Sequence, residues 1–185
     1  IRARRAPHNI YSDGKHLRSL AKKVGAKPID REPVWVFAEA AEIARRPEGG
    51  SITVPYPANK VVYRYHRESN TYRRSVSGEG KQVDASNKAR IAPTNVIVMF
   101  MRFGPLNGGD SKGRLEADYI GSGPALISTN GKTIRGTWSK KSMKGPTRFF
   151  DKAGNPVTLT IGQTFVQVVR AGTKVTFVNG KVPAP

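Results

Sequence analysis

The chain of 185 residues contains no cysteine, only three histidines and only 13 acidic side chains. The missing cysteines exclude a disulfide framework, thiolate zinc sites and a cysteine nucleophile, yet fit both reducing and oxidising compartments. No apolar run approaches the ~20 residues of a membrane-spanning helix. With so few carboxylates, most of them at positions that caps and surface pairs explain, the paired acids of a glycosidase are poorly supported. No spacing of His, Asp or Glu repeats a zinc or calcium ligand set, and no cofactor motif stands out. His16 and His66 have no partner at ligand spacing and are expected at the surface. The first residues show no basic stretch followed by an apolar one, so any export leader is expected to lie outside this sequence or to have been removed.

What the chain has in excess is positive charge. Against 13 acids stand 32 lysines and arginines, a formal net charge of +19. Such an imbalance concentrates anionic partners around a protein. The excess is spread: 11 basic and 6 acidic residues lie in 1–50, 8 and 3 in 51–100, and 13 and 4 in 101–185. Small clusters occur at Arg2, Arg4 and Arg5, at Arg45 and Arg46, at Arg73 and Arg74, and at Lys140, Lys141 and Lys144. None is a run of five like charges. Nucleic acid, anionic lipid headgroups and acidic wall polymer all remain open as partners, beside a merely solvated basic surface.

Hydrophobic periodicity divides the chain. Ser12 or Asp13 can cap a helix in which Leu17, Leu20, Ala21 and Val24 share one face before Gly25 ends it. The Ala- and Glu-rich stretch from Ala38 to Arg46 fits a second, short helix. Pro47, Gly49 and Gly50 read as a linker. Everything beyond it reads as strands: 52–54, 60–66, 71–76, 95–103, 115–120, 125–128, 132–138, 147–150, 157–160, 164–169 and 174–178. Arg67 to Asn70 joins two of these as a hairpin. Asn130-Gly131 is a type I′ hairpin signal, because both central residues must take positive φ. Asn95 to Phe103 is apolar on both faces and predicts the central strand. The expected fold class is α+β but mostly β: an antiparallel sandwich or curled sheet preceded by one or two helices.

The order of several motifs resembles a known family. They are Pro7-His8-Asn9-Ile10-Tyr11, then Pro93 with Asn95-Val96-Ile97-Val98, then Gly121-Ser122-Gly123, Gly131-Lys132, Thr137-Trp138, Pro146-Thr147 with Phe149, Asp151-Lys152-Ala153-Gly154, and Gly162-Gln163-Thr164 with Val166. Together they are similar to the YerB-like lipoproteins, the family of the domain of unknown function 3048. The resemblance implies an α/β N-terminal domain, of which residues 1–46 are expected to be the helical tail, before a β-rich C-terminal one, expected as residues 47–185, and a protein exported and anchored at the outer face of the bacterial membrane. It implies no particular reaction.

Three constellations could carry chemistry. His8, beside Asn9 and Tyr11 on a loop before a helix, suits acid–base work but equally suits pinning the backbone. Asp118 before Gly121-Ser122-Gly123 places a carboxylate, a hydroxyl and flexible N–H donors together. That turn lacks the lysine of a P-loop and the spacing of a nucleophile elbow, and a β-bulge explains the glycines as well. Trp138 with Lys140, Lys141 and Lys144 forms an aromatic–cationic patch, unless Trp138 faces the core. A second such ribbon sets Arg64, Arg73 and Arg74 beside Tyr63, Tyr65 and Tyr72. Three functions follow. The first is a non-catalytic binding or assembly module of the cell envelope, contacting an anionic surface or polymer through these patches. The second is a nucleic-acid-binding protein. The third is a hydrolase-like enzyme using His8 with Asp118 or Ser122.

Overall fold

The computed structural model describes residues 5, 12–27, 34–106 and 111–184. The chain divides into two compact units, Ile1–Glu32 and Pro33–Pro185. In the first lies helix α1 (Gly14–Lys23), started by Asp13, whose Oδ1 accepts hydrogen bonds from the His16 N–H and from His16 Nδ1, each at 2.8 Å. His8, Asn9 and Tyr11 lie outside the described residues.

The second unit runs β1 (Val36–Ala38), a single 3-10 turn (Ile43–Arg45), β2 (Glu48–Pro55), β3 (Lys60–His66), β4 (Thr71–Val76), β5 (Gly80–Lys81), β6 (Asn95–Met101), β7 (Phe103–Pro105) and β8 (Leu115–Ala117). It continues with β9 (Gly121–Thr129), β10 (Lys132–Lys140), β11 (Arg148–Phe150), β12 (Thr158–Thr160), β13 (Thr164–Arg170) and β14 (Thr176–Lys181). One five-stranded sheet has the order β14-β2-β3-β4-β5 and is antiparallel throughout. The other has the order β11-β10-β9-β6-β13, antiparallel except where β13 runs parallel to β6. Two small ribbons, the parallel β1-β12 and the hairpin β7-β8, complete the unit. The protein is thus α+β and mostly β.

The reason for two packed layers lies in β6. Its residues Val96 and Val98 point to one face and Ile97, Met99 and Met101 to the other, and all five are buried. A strand apolar on both sides needs cover on both. On the first side the antiparallel sheet supplies Ile52, Val54, Val61, Tyr63, Tyr65, Tyr72 and Val76. On the second side Trp138 of β10 packs with Phe149, Val157 and Leu159, and Trp35 closes against them. Trp35 stacks at 5.5 Å from Phe149, and its indole N–H donates to the Thr147 carbonyl at 2.8 Å.

This second core explains two departures from the sequence reading. Ala38 to Arg46 is not a helix beyond the one 3-10 turn, because its backbone is claimed elsewhere. The Ala38 carbonyl accepts from the Ile161 N–H, and the Ala41 N–H donates to Asn130 Oδ1. Arg46 then reaches back to the carbonyls of Ala41, Arg67 and Glu68. Tertiary bonds of this kind override weak helix propensity. Pro47, Gly49 and Gly50, expected as a linker, enter β2 directly, with Gly50 at φ +111° against β14.

The hairpin turns serve as fasteners. Asn130 and Gly131 take φ of 48° and 74°, as the turn signal requires, and Asn70 takes 51°. Asn130 Oδ1 accepts from Asn70 Nδ2 at 2.8 Å, while Tyr65 OH donates to Asn70 Oδ1 at 2.7 Å. One amide therefore ties the 39–46 stretch to both hairpins. A side chain on Gly131 would meet the Tyr65 ring at 2.5 Å and Pro47 at 2.6 Å. Gly131→Ala should cost ~2–4 kcal/mol in urea unfolding, from overpacking together with positive-φ strain. Burial pushes the phenols of Tyr56, Tyr63, Tyr65 and Tyr72 above their usual value of 10. The folded chain holds these protons more tightly than the unfolded one. Their contribution to stability is therefore fully present below pH ~10 and is lost as pH rises beyond it. Urea midpoints recorded from pH 8 to 12 check that loss.

Candidate cationic faces

The pleat separates what the sequence placed side by side. Along β3, Val61, Tyr63 and Tyr65 turn inward while Arg64 turns out; along β4, Tyr72 turns inward and Arg73 out. The tyrosines of the expected ribbon are therefore core residues, with Tyr65 against Tyr72 at 5.2 Å between ring centres. Arg74 also lies on the inner side, opposite Tyr63. Its Nε donates to Tyr63 OH at 3.3 Å and its guanidinium sits 5.2 Å from the Phe165 ring centre. Gln167 carries this chain onward, donating to Tyr63 OH at 2.6 Å and accepting from Tyr56 OH at 2.5 Å. Arg74 is thus engaged inside the sandwich.

What remains outside is a face of cations and hydroxyls. Arg64 lies directly opposite Arg73 in the β3–β4 register, with Ser51 on its other side. Like charges in direct cross-strand contact destabilise a sheet. Both side chains are exposed, and among the described residues neither has a carboxylate within ion-pair distance. Arg90 joins them from the segment beside β4. Its Nη2 donates to Ser75 Oγ at 3.2 Å, and partial burial, then the charge of Arg73, lowers its pKa from the ordinary value. Arg90 was not singled out in the sequence because it stands alone between Ala89 and Ile91. Its place on this face follows only from the Arg74 N–H bonding to the Ile91 carbonyl.

The second predicted patch is reorganised in the same way. Trp138 is 1% exposed, and its indole N–H donates to the Phe100 carbonyl at 2.8 Å. Gly123 lies opposite it in β9, where a Cβ would meet Trp138 at 2.8 Å. Lys140 is half-buried, and its Nζ is held on the Gly145 carbonyl. Lys141 and Lys144 are exposed on the loop after β10, with Met143 69% exposed between them. The expected strand 115–120 stops at Ala117, so Tyr119 and Ile120 are exposed. With Arg102, Asp118 and Met143 they line a shallow depression of about 390 Å³. The structure thus replaces Trp138 by Tyr119 as the exposed aromatic of this region.

Asp118 Oδ2 is 2.6 Å from Arg102 Nε. Gly121-Ser122-Gly123 is neither nest nor bulge but the first three residues of β9, paired in regular register with Lys140, Ser139 and Trp138. On the β10 side its backbone is thereby committed to the sheet. Ser122 is exposed opposite Ser139. His66 Nδ1 is bonded to Ser69 Oγ at 2.9 Å.

A family described as the protein of unknown function (DUF3048) C-terminal domain matches residues 52–166. Among solved structures, the crystal structure of YerB protein from Bacillus subtilis is similar, with a TM-score of 0.75 at 19% identity. The similarity covers 95% of this chain and 57% of that one, so the chain spans little more than half the length of its structural relative. No curated protein matches.

Trp138→Ala should lower stability by ~3–5 kcal/mol in urea unfolding, the usual effect of emptying a core aromatic site. Lys141→Ala and Lys144→Ala should each leave stability within ~0.5 kcal/mol, as for surface changes.

Proposed function

Because the chain belongs to the DUF3048 family through its C-terminal domain, we propose that it is a non-catalytic binding or assembly module of an exported, membrane-anchored envelope protein, contacting an anionic polymer or surface. The location rests on the resemblance to YerB-like lipoproteins. The contact rests on one observation: Arg64 and Arg73 stand opposite each other on an open sheet face, with Arg90 beside them and no carboxylate among the described residues to neutralise them. An arrangement that works against the sheet is relieved when an anion bridges the two guanidiniums. Lys141 and Lys144 offer further cations.

The hydroxyls of Ser51 and Ser75 among these arginines suit phosphate or carboxylate oxygens. Base stacking finds little support on this face, since Tyr63, Tyr65 and Tyr72 are all turned inward. A phosphate-rich polymer without bases is therefore the better match.

Long-chain inorganic polyphosphate, anionic vesicles and neutral vesicles distinguish the outcomes. Affinity of the full chain for polyphosphate should fall linearly with log salt, and Arg64→Ser with Arg73→Ser should reduce that slope by about two. The same double variant should unfold at higher urea than the parent, since it removes the like-charge pair. Indifference of binding to salt or to this variant would end the proposal. A marked preference for single-stranded DNA over polyphosphate of equal charge would replace it by the nucleic-acid reading.

A further inference from the structure

The second five-stranded sheet ends at β13, beyond which no strand pairs among the described residues. The direction of its backbone follows from the hydrogen bonds at its two ends. The Gln163 carbonyl accepts from the Thr94 and Asn95 N–H groups, and the Ala171 N–H donates to the Met101 carbonyl. Odd-numbered residues therefore turn their backbone towards β6. Alternation along the strand turns the N–H and C=O of Val166, Val168 and Arg170 the other way. The Val168 carbonyl, which accepts from Tyr56 OH at 3.3 Å, marks that open side.

This edge is only partly covered, by Tyr56 at Val168 and by Thr173 at Arg170. The other sheet ends are β5 with 2 residues, β11 with 3, and β14 with 6, the last containing Asn179, Gly180 and Lys181. β13 has 7 residues and neither proline nor lysine, and its outer valines 166 and 168 are 36% and 37% exposed. Proteins ordinarily shorten, charge, bulge or cover such an edge. Here a groove of about 770 Å³ lies against its C-terminal end, lined by Pro55, Tyr56, Pro57, Phe103, Leu115 and Val168, with Arg170 at the border. Leu115 is 44% exposed within it.

We propose that the open edge of β13 accepts an extended peptide from a partner protein as an additional strand. The edge supplies main-chain hydrogen bonds through the N–H and C=O of Val166 and the N–H groups of Val168 and Arg170, the carbonyls of the last two already accepting from Tyr56 OH and the Thr173 N–H. The groove receives alternate apolar side chains, and Arg170 selects an acidic side chain. This surface lies on the opposite sheet from Arg64 and Arg73 and does not depend on the polyanion proposal.

The test is a selection of random heptapeptides, the length of β13, on the full chain, followed by binding of the enriched sequences as capped synthetic peptides. Enriched peptides should alternate apolar with polar residues, lack internal proline and carry Asp or Glu. Their binding should slow amide exchange at Val166, Val168 and Arg170. N-methylation of the alternate peptide residues that face β13 should lower affinity about tenfold or more, and methylation of the other set should not. Arg170→Glu should turn the preference from acidic to basic peptides. Arg64→Ser with Arg73→Ser should leave peptide affinity unchanged, which keeps this outcome apart from that of the polyanion experiment. No enrichment, proline-rich winners, or binding insensitive to N-methylation would overturn the proposal. So would self-association of the chain that protects the same three amides, because the edge would then serve a second copy.

Discussion

A strand with apolar side chains on both faces has to be covered twice, and β6 imposes that requirement on everything around it. Val96 and Val98 call for the antiparallel sheet; Ile97, Met99 and Met101 call for a second cover. The second cover is assembled from distant pieces: Trp35 before β1, Trp138 in β10, Phe149 in β11, Val157 just before β12 and Leu159 in β12. The buried amide at the start of β6 is answered from a distant strand. Fully buried Asn95 donates to the Thr160 carbonyl and accepts from the Thr160 N–H, which fixes β12 beside β6. Burial of such an amide is tolerable only when it is bonded in this way.

The same alternation that builds the cores sorts the chemistry. In β3 and β4 it sends tyrosines into the sandwich and Arg64 and Arg73 out. The outward residues then lie side by side with like charge, while the inward Arg74 is absorbed by Tyr63 and Phe165. Two adjacent arginines in sequence thus differ completely in availability. The cationic surface is made of guanidiniums framed by hydroxyls, and not of cations interleaved with aromatic rings.

Local signals carried much of this architecture in the sequence. The strands at 60–66 and 71–76 appear with their expected ends, and Asn130-Gly131 forms its turn, because alternation and positive-φ demands act over a few residues. Non-local choices were less legible. Nothing near Thr164–Arg170 says that it will run parallel to β6, and the Ala- and Glu-rich 38–46 stretch is kept from α-helix, apart from its one 3-10 turn, by Asn130 and Arg46, far from or late in its own sequence. Trp138 was ambiguous because a strand offers two faces. Its inward turn is settled by a glycine opposite, at Gly123, which makes room for the indole. Arg90 and Tyr119 were missed for the same reason: each becomes informative only when another segment is laid beside it.

The central claim is that the functional cations are those the pleat turns outward on the antiparallel sheet. Its most direct test is an NMR titration of the full chain with polyphosphate, following arginine side-chain Nε–H and tryptophan indole signals. The account predicts saturable shifts at Arg64, Arg73 and Arg90, with the indoles of Trp35 and Trp138 unmoved. Shifts confined to the Lys141–Lys144 loop, or a moving Trp138 indole with silent arginines, would contradict it.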